Sequence, residues 1–167
     1  KLGFKVFYYD AEKELEEPNK YDVICAFDVL EHIKDDGLAL KNIYRALKKD
    51  GLLIFSVPAF QFLYSGHDIY MKHHRRYSVR GLRQKLVESD FQITKIFYWN
   101  FFLFPLTFFS RVVFKKKTIK SDVQKIPKLL NFILFTLLSL ENFLIKIGLR
   151  FPCGVSIFGV VKKRDVC

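Results

Sequence analysis

The apolar positions of this chain change period along its length. "FKVFYY" (Phe4–Tyr9) and "YDVICAF" (Tyr21–Phe27) are aromatic and β-branched runs of strand length. Asp10 ends the first, and both predict buried parallel strands. Leu40, Ile43, Tyr44 and Leu47 then recur at i, i+3, i+4 and i+7, with Asp35 and Asp36 ahead of them and Gly51 behind. That spacing predicts an amphipathic helix with an acidic start and a glycine stop. "GLLIFSVP" (51–58) predicts a third strand closed by Pro58. Ser78 is the expected N-cap of a second helix carrying Val79, Leu82 and Leu86 on one face, and "FQITKIFYW" (91–99) returns to strand. Two strands, a helix, a strand, a long loop, a helix and a strand make an α/β order with a parallel sheet.

After Trp99 this rhythm stops. "WNFFLFPLTFFSRVVF" (99–114) and "LLNFILFTLLSLENFLIKIGL" (129–149) flank a basic turn at Lys115 to Lys117. Pro105, Arg111 and Glu141 interrupt them, leaving each short of the roughly 20 clean apolar residues of a spanning helix. The expectation is an inserted apolar helical hairpin that dips into a membrane interface, the alternative being a lid on the sheet or a homodimer face. "GVSIFGVVKK" (154–163) predicts a last strand. The chain thus divides into a core over 1–98, an apolar helical insertion over 99–153, and a last strand with a basic tail over 154–167.

With 167 residues, half of them hydrophobic and 19 of them Phe, the chain suits one domain with a real core and excludes general disorder. A formal charge of +11 implies an acidic partner, either nucleic acid or an anionic membrane surface. Single-strand binding needs aromatics interleaved with basic residues, whereas here the aromatics gather in apolar runs. An anionic membrane is therefore the expected partner, and nucleic acid ranks last. Cys25, Cys153 and Cys167 are odd in number and widely spaced, which argues against a disulfide framework and suits a reducing compartment. No signal peptide opens the chain, and its first residue is Lys, which reads as a cut rather than a beginning. The expected location is cytoplasmic, peripheral on the inner face of a membrane.

Two clusters carry candidate chemistry: "AFDVLEHI" (26–33) and "GHDIYMKHHRRYS" (66–78). Open parallel sheets bind ligands beyond the carboxyl ends of their strands. Asp10, Asp28 and the loop after Pro58 share that edge, so the two clusters are expected to face one crevice. His67 and His74 are candidate general bases, and Tyr77 a hydrogen-bond donor in the same catalytic group. Arg75 and Arg76, with Asp68, are candidate acceptor-binding residues, the guanidinium forks matching a phosphate or carboxylate. The plainer reading pairs Arg75 and Arg76 with Asp35, Asp36 or Asp68 and turns the histidines to water.

The run "YDVICAFDVLEHIKDDGLALKNIYRALKKDGLLIFSVP" resembles the second half of a class I S-adenosylmethionine (SAM)-dependent methyltransferase. The resemblance covers Phe4 to about Trp99, and Gly154 to Lys163 is similar to that fold's last, antiparallel strand. The "HRRYS" stretch, with a later "FP" and "P-x-G-V-S", is similar to a type 11/12-like subgroup often found near glycan or lipid assembly functions. The resemblance implies a Rossmann-like methyltransferase sheet and SAM as cofactor. Asp10 and Ala11 then match the strand end that accepts a hydrogen bond from the adenine amino group, while Phe27 and Asp28 border the methionine half. The family's glycine-rich loop and ribose-binding carboxylate have no counterpart. Phe4–Tyr9 would match the third strand, leaving two strands and two helices missing from the front.

In some quinone-biosynthesis methyltransferases a carboxylate three positions before an "EH" pair binds a divalent metal, and Asp28, Glu31 and His32 are similar to that pattern. Such a set suits Mg²⁺, Mn²⁺ or Zn²⁺. Many relatives keep "LEH" without a metal, so an orienting hydrogen-bond role is preferred and no metal is expected. The implied function is methylation of a hydroxyl or similar group on an anionic lipid-linked or glycan acceptor at a membrane. A non-catalytic membrane adaptor with a degenerate methyltransferase fold is the alternative, ahead of an RNA methyltransferase.

Overall fold

Asp35 and Ser78 begin the two helices that cover the sheet. Asp35 Oδ1 accepts from the Leu38 amide at 2.9 Å, and Ser78 Oγ accepts from the Gly81 amide at 3.1 Å. Each side chain satisfies a donor the first helical turn cannot, which fixes where the helix starts. In this computed structural model, which describes residues 9–13, 18–113 and 127–164, the helices are α1 (Asp36–Ala46) and α3 (Val79–Glu88), with a short α2 (Gly66–Tyr70) between them. The strands are β1 (Tyr21–Phe27), β2 (Leu47–Pro58), β3 (Phe91–Trp99) and β4 (Ser156–Lys163).

The sheet order is β1-β2-β4-β3. β1 and β2 are parallel, whereas β4 runs antiparallel to both β2 and β3. The last strand in the chain is therefore inserted between β2 and β3 and reversed, as the resemblance implied. Leu53, Phe55 and Val57 of β2 share one face with Ile157 and Val161 of β4, and they bury against Leu40 of α1 and Leu82 and Leu86 of α3. Burying each such side chain contributes about 1.5–3 kcal/mol. Gly159 makes this packing possible. A Cβ there would stand 2.3 Å from Phe55 Cζ, so the ring lies across the strand only because the position has no side chain.

Two boundaries differ from the periodicity. Leu47 keeps helical spacing but lies in extended chain as the first residue of β2, pairing with Tyr21. The stop signal acts locally: Asp50 has φ 61°, and a Cβ on Gly51 would meet Lys48 O at 2.9 Å. The strand expected at Phe4–Tyr9 lies outside the described residues except for Tyr9, which is in irregular chain.

Among the described residues β1 lies at the edge of the sheet, and its Tyr21, Val23, Cys25 and Phe27 face is exposed. Beyond β3 the chain forms α4 (Phe104–Phe108), a π-helical turn (Phe109–Val113) and the 19-residue α5 (Lys128–Lys146). The basic turn at Lys115 to Lys117 lies outside the described residues. By length and composition alone, α5 is long and apolar enough to cross a membrane, longer than its interrupted sequence suggested. Its single buried residue is Glu141, whose Oε1 accepts from the Phe101 amide at 3.0 Å, and Asn142 Oδ1 accepts from Trp99 Nε1 at 3.0 Å. These contacts hold α5 to the end of β3, while Leu129, Phe132 and Phe135 remain about two-thirds exposed or more.

Candidate functional site

The carboxyl end of β1 turns sharply. Asp28 has φ 51°, its amide donates to Ser56 O at 3.0 Å, and its Oδ1 accepts from Ser56 Oγ at 3.1 Å. Aspartate tolerates the left-handed region because its short side chain bonds locally. One 3₁₀ turn follows, Leu30–His32, which buries Leu30 and Glu31 and exposes His32.

The loop after β2 folds onto this turn. Ser65 starts α2 with a capping box in which Asp68 Oδ2 accepts from the Ser65 amide at 2.9 Å. Asp68 is fully buried, and its Oδ1 accepts from His73 Nδ1 at 2.9 Å and from Arg76 Nε at 2.8 Å. Burial alone would raise the pKa of Asp68, but the Arg76 charge and the His73 bond outweigh it and hold the carboxyl below its ordinary value. Arg76 is nearly buried and also donates to Ala59 O at 3.2 Å. Arg75 pairs with Asp36 Oδ1 at 2.8 Å and donates to Lys34 O at 2.6 Å. The Tyr77 hydroxyl donates to Asp36 Oδ2 at 2.8 Å, and burial, with the Asp36 charge next, raises its pKa. Burial opposes ionisation of Asp36 too, yet hydrogen bonds from Lys85 and Tyr77 leave its pKa lowered.

The two sequence clusters therefore meet. The His74 amide donates to Glu31 O at 2.8 Å, and the His32 and His73 rings stand edge to face with centroids 4.6 Å apart. The side chains that converge are Glu31, His32 and His73, not the full set singled out in the sequence. His67 lies beside the group, its ring 6.4 Å from that of His73, and His74 is exposed. Asp68, Arg75, Arg76 and Tyr77 engage in the pairs just described and brace the loop against α1. Ala11 is tied to α1, its O accepting from the buried Asn42 Nδ2 at 3.0 Å, while Asp10 bonds locally, its Oδ1 accepting from the Glu12 amide at 3.1 Å. Phe27 is half exposed and stacks on Phe158 of β4.

Glu31 stands apart electrostatically. It is 1% exposed, and neither carboxylate oxygen has a hydrogen-bond partner. A buried acceptor left unpaired costs on the order of 1–3 kcal/mol, more when charged. Burial pushes its pKa up to about 7. His32 moves the other way, burial and then the neighbouring His73 lowering its pKa. Sequence reading named His73 only inside a motif and gave it no role. The Ser65-x-x-Asp68 capping pattern, which buries an aspartate five residues before His73, is the signal that could have found it.

Residues 3–96 match the family model for a methyltransferase domain. No curated protein matches the chain significantly. Among solved structures, a SAM-dependent methyltransferase from Thermotoga maritima is similar at 18% identity and TM-score 0.59, over 97% of this chain and 65% of that one. Phosphoethanolamine N-methyltransferase 2 from Haemonchus contortus, solved with SAM, is similar at 17% identity and TM-score 0.53, over 93% of this chain and 36% of that one. The [4+2]-cyclase SpnF is similar at 16% identity and TM-score 0.55, over 95% of this chain and 55% of that one. The chain thus spans about two-thirds or less of these proteins, and at such identities the likeness shows the Rossmann-like α/β fold alone. The family-model match covers more than half of the 167 residues, and on it the chain belongs to the methyltransferase-domain family.

Proposed function

We propose that this chain is part of a SAM-dependent methyltransferase of the subgroup marked by "HRRYS", acting at a membrane on a hydroxyl or similar group of an anionic lipid-linked or glycan acceptor. The observation that carries the reading is the meeting of the two clusters at the carboxyl end of β1, where an open α/β sheet binds its ligands. The residues present fit the cofactor in part. Phe27 and Asp28 are exposed at that strand end, and Ala11, next to Asp10, is fixed to α1, so an apolar face and carboxylates are available to hold it. When bound, SAM supplies an electrophilic methyl group. The chain's own task is then to align the acceptor and take a proton from it.

His74 suits that task best. Its backbone is tied to Glu31 while its ring is exposed, so it can meet an acceptor without first breaking a structural bond. His67 is the second candidate. Asp68, Arg75, Arg76 and Tyr77 contribute by positioning this loop. The exposed face of β1 suits further strands and helices of a longer chain. The half-exposed aromatics and bare apolar face of α5 suit a membrane interface, with Glu141 holding the helix to the domain.

The test follows labelled methyl transfer from SAM into the lipid fraction of membranes containing the full-length protein. His74→Ala should lower turnover by about 10²–10⁴-fold while SAM affinity stays within twofold. Absence of label from lipid with the wild-type protein would favour the adaptor reading, and equal loss of turnover and SAM affinity would point to misfolding.

A further inference from the structure

We propose that Glu31, His32 and His73 form a binding site for one divalent transition-metal ion, Zn²⁺ matching the donor set best, with Asp68 as the outer carboxylate that orients His73. One candidate ligand atom from each of the three lies within 4.8 Å of the others. Two imidazoles and a carboxylate are a known zinc donor set, and three protein ligands leave a fourth position open.

The arrangement around His73 is the strongest support. Its Nδ1 faces Asp68 Oδ1 at 2.9 Å, and Asp68 also receives Arg76, so its charge is held in place. In a neutral ring whose Nδ1–H is given to Asp68, Nε2 keeps a lone pair, and it stands 4.0 Å from Glu31 Oε1, too far for a hydrogen bond. In their metal-binding forms the imidazole and the carboxylate thus face one another across a gap as two acceptors, and both oxygens of the buried Glu31 are without a hydrogen-bond partner. A cation between them satisfies both. The carboxylate–histidine pair on the far side is the outer support that metal-bound histidines regularly have. His32 closes the third side and is exposed, which gives the ion a way in. Ligands of a tetrahedral zinc stand about 3.4 Å apart at bond lengths near 2.0–2.1 Å, so side-chain rotation rather than backbone movement completes the site.

This set differs from the one the resemblance implied. The Asp28 carboxylate accepts from Ser56 and lies outside the converging group, and His73 comes from the loop after β2. The proposal stands independently of methyl transfer.

The experiment titrates the full chain, stripped with a chelator and desalted, with Co²⁺ followed by Zn²⁺. The expected result is one equivalent of Co²⁺ bound with the visible absorption of a four-coordinate ion, displaced by one equivalent of Zn²⁺. His32→Ala changes an exposed residue and should leave the unfolding temperature of the metal-free protein unchanged. It should weaken Zn²⁺ binding at least tenfold, and Glu31→Gln should do the same. Zn²⁺ should raise the unfolding temperature of the wild type and leave that of His32→Ala unmoved. The proposal is overturned if the wild type binds no stoichiometric Co²⁺ or Zn²⁺, or if both variants bind as tightly as the wild type, which would assign the metal to stray surface histidines.

Discussion

Asp68 and Arg76 share a buried ion pair, Oδ1 to Nε at 2.8 Å, with His73 on the same oxygen. Removing one partner strands the other charge away from water, and the effect exceeds that of losing a surface bridge. Asp68→Ala should therefore cost about 3–5 kcal/mol, read from the urea midpoint at constant m. A variant that unfolds at the wild-type midpoint would show that Arg76 finds other support.

Acid should weaken the same loop. Asp36 and Asp68 both have folded pKa values below their ordinary 3.8. A depressed carboxyl contributes stability that is fully present above its unfolded pKa and is lost as pH falls through its folded one. Stability should then fall steeply below about pH 4. Asp36→Asn should flatten the fall, and an unchanged acid limb would place the titrating groups elsewhere.

Glu31 has the opposite sign. Its folded pKa is about 7 against an ordinary 4.5, so the unfolded chain gives up its proton first as pH rises. Stability from this group is whole below about pH 4.5 and declines through pH 7, by roughly 3 kcal/mol in total. With a chelator present, Glu31→Gln should remove the decline and match or exceed wild-type stability at pH 8. A Gln variant that is less stable at pH 8 than at pH 5 by the wild-type margin would disprove the assignment.

Much of this was legible from the sequence, for physical reasons that can be named. Ser78 and Asp35 are short side chains ahead of a periodic apolar run, and both cap where they stand. β1 and the GLLIFSVP part of β2 are apolar runs bounded by Asp28 and Pro58, with lengths that suit strands. The site was harder. Pattern places His73, His74, Arg75 and Arg76 in one loop but does not say which point inward, because a loop has no period to sort its faces. Partner choice decided it: buried Asp68 and Asp36 take Arg76 and Arg75, and His73 is drawn in with them.

Gly159 tests the packing of the sheet. An added methyl group would stand 2.3 Å from Phe55 Cζ, far inside van der Waals contact, and the ring is fully buried. Gly159→Ala should destabilise the protein by about 1–3 kcal/mol, as overpacking in a close-packed core does. Phe55→Leu in the same chain should recover part of the loss. Additive losses in the double variant would show that the two positions do not compete for the same space.

The last prediction concerns how α5 is held. Trp99 is the single tryptophan of the chain, and its indole N–H donates to Asn142 one residue after Glu141, so its fluorescence reports the docking of α5 on β3. Glu141→Ala removes the acceptor of the Phe101 and Phe102 amides and should free α5, shifting Trp99 emission to longer wavelength in solution. The proposed membrane face would survive this change, since Leu129, Phe132 and Phe135 remain exposed on the helix. Glu141→Ala should therefore still float with vesicles containing anionic lipid. Replacing residues 127–148 with a short polar linker should abolish flotation, because about 28 Å of apolar helix goes with it. A replaced chain that floats as before would move the membrane contact away from α5. A Glu141→Ala variant with unshifted emission would mean that Asn142 and the surrounding rings hold the helix without the carboxylate.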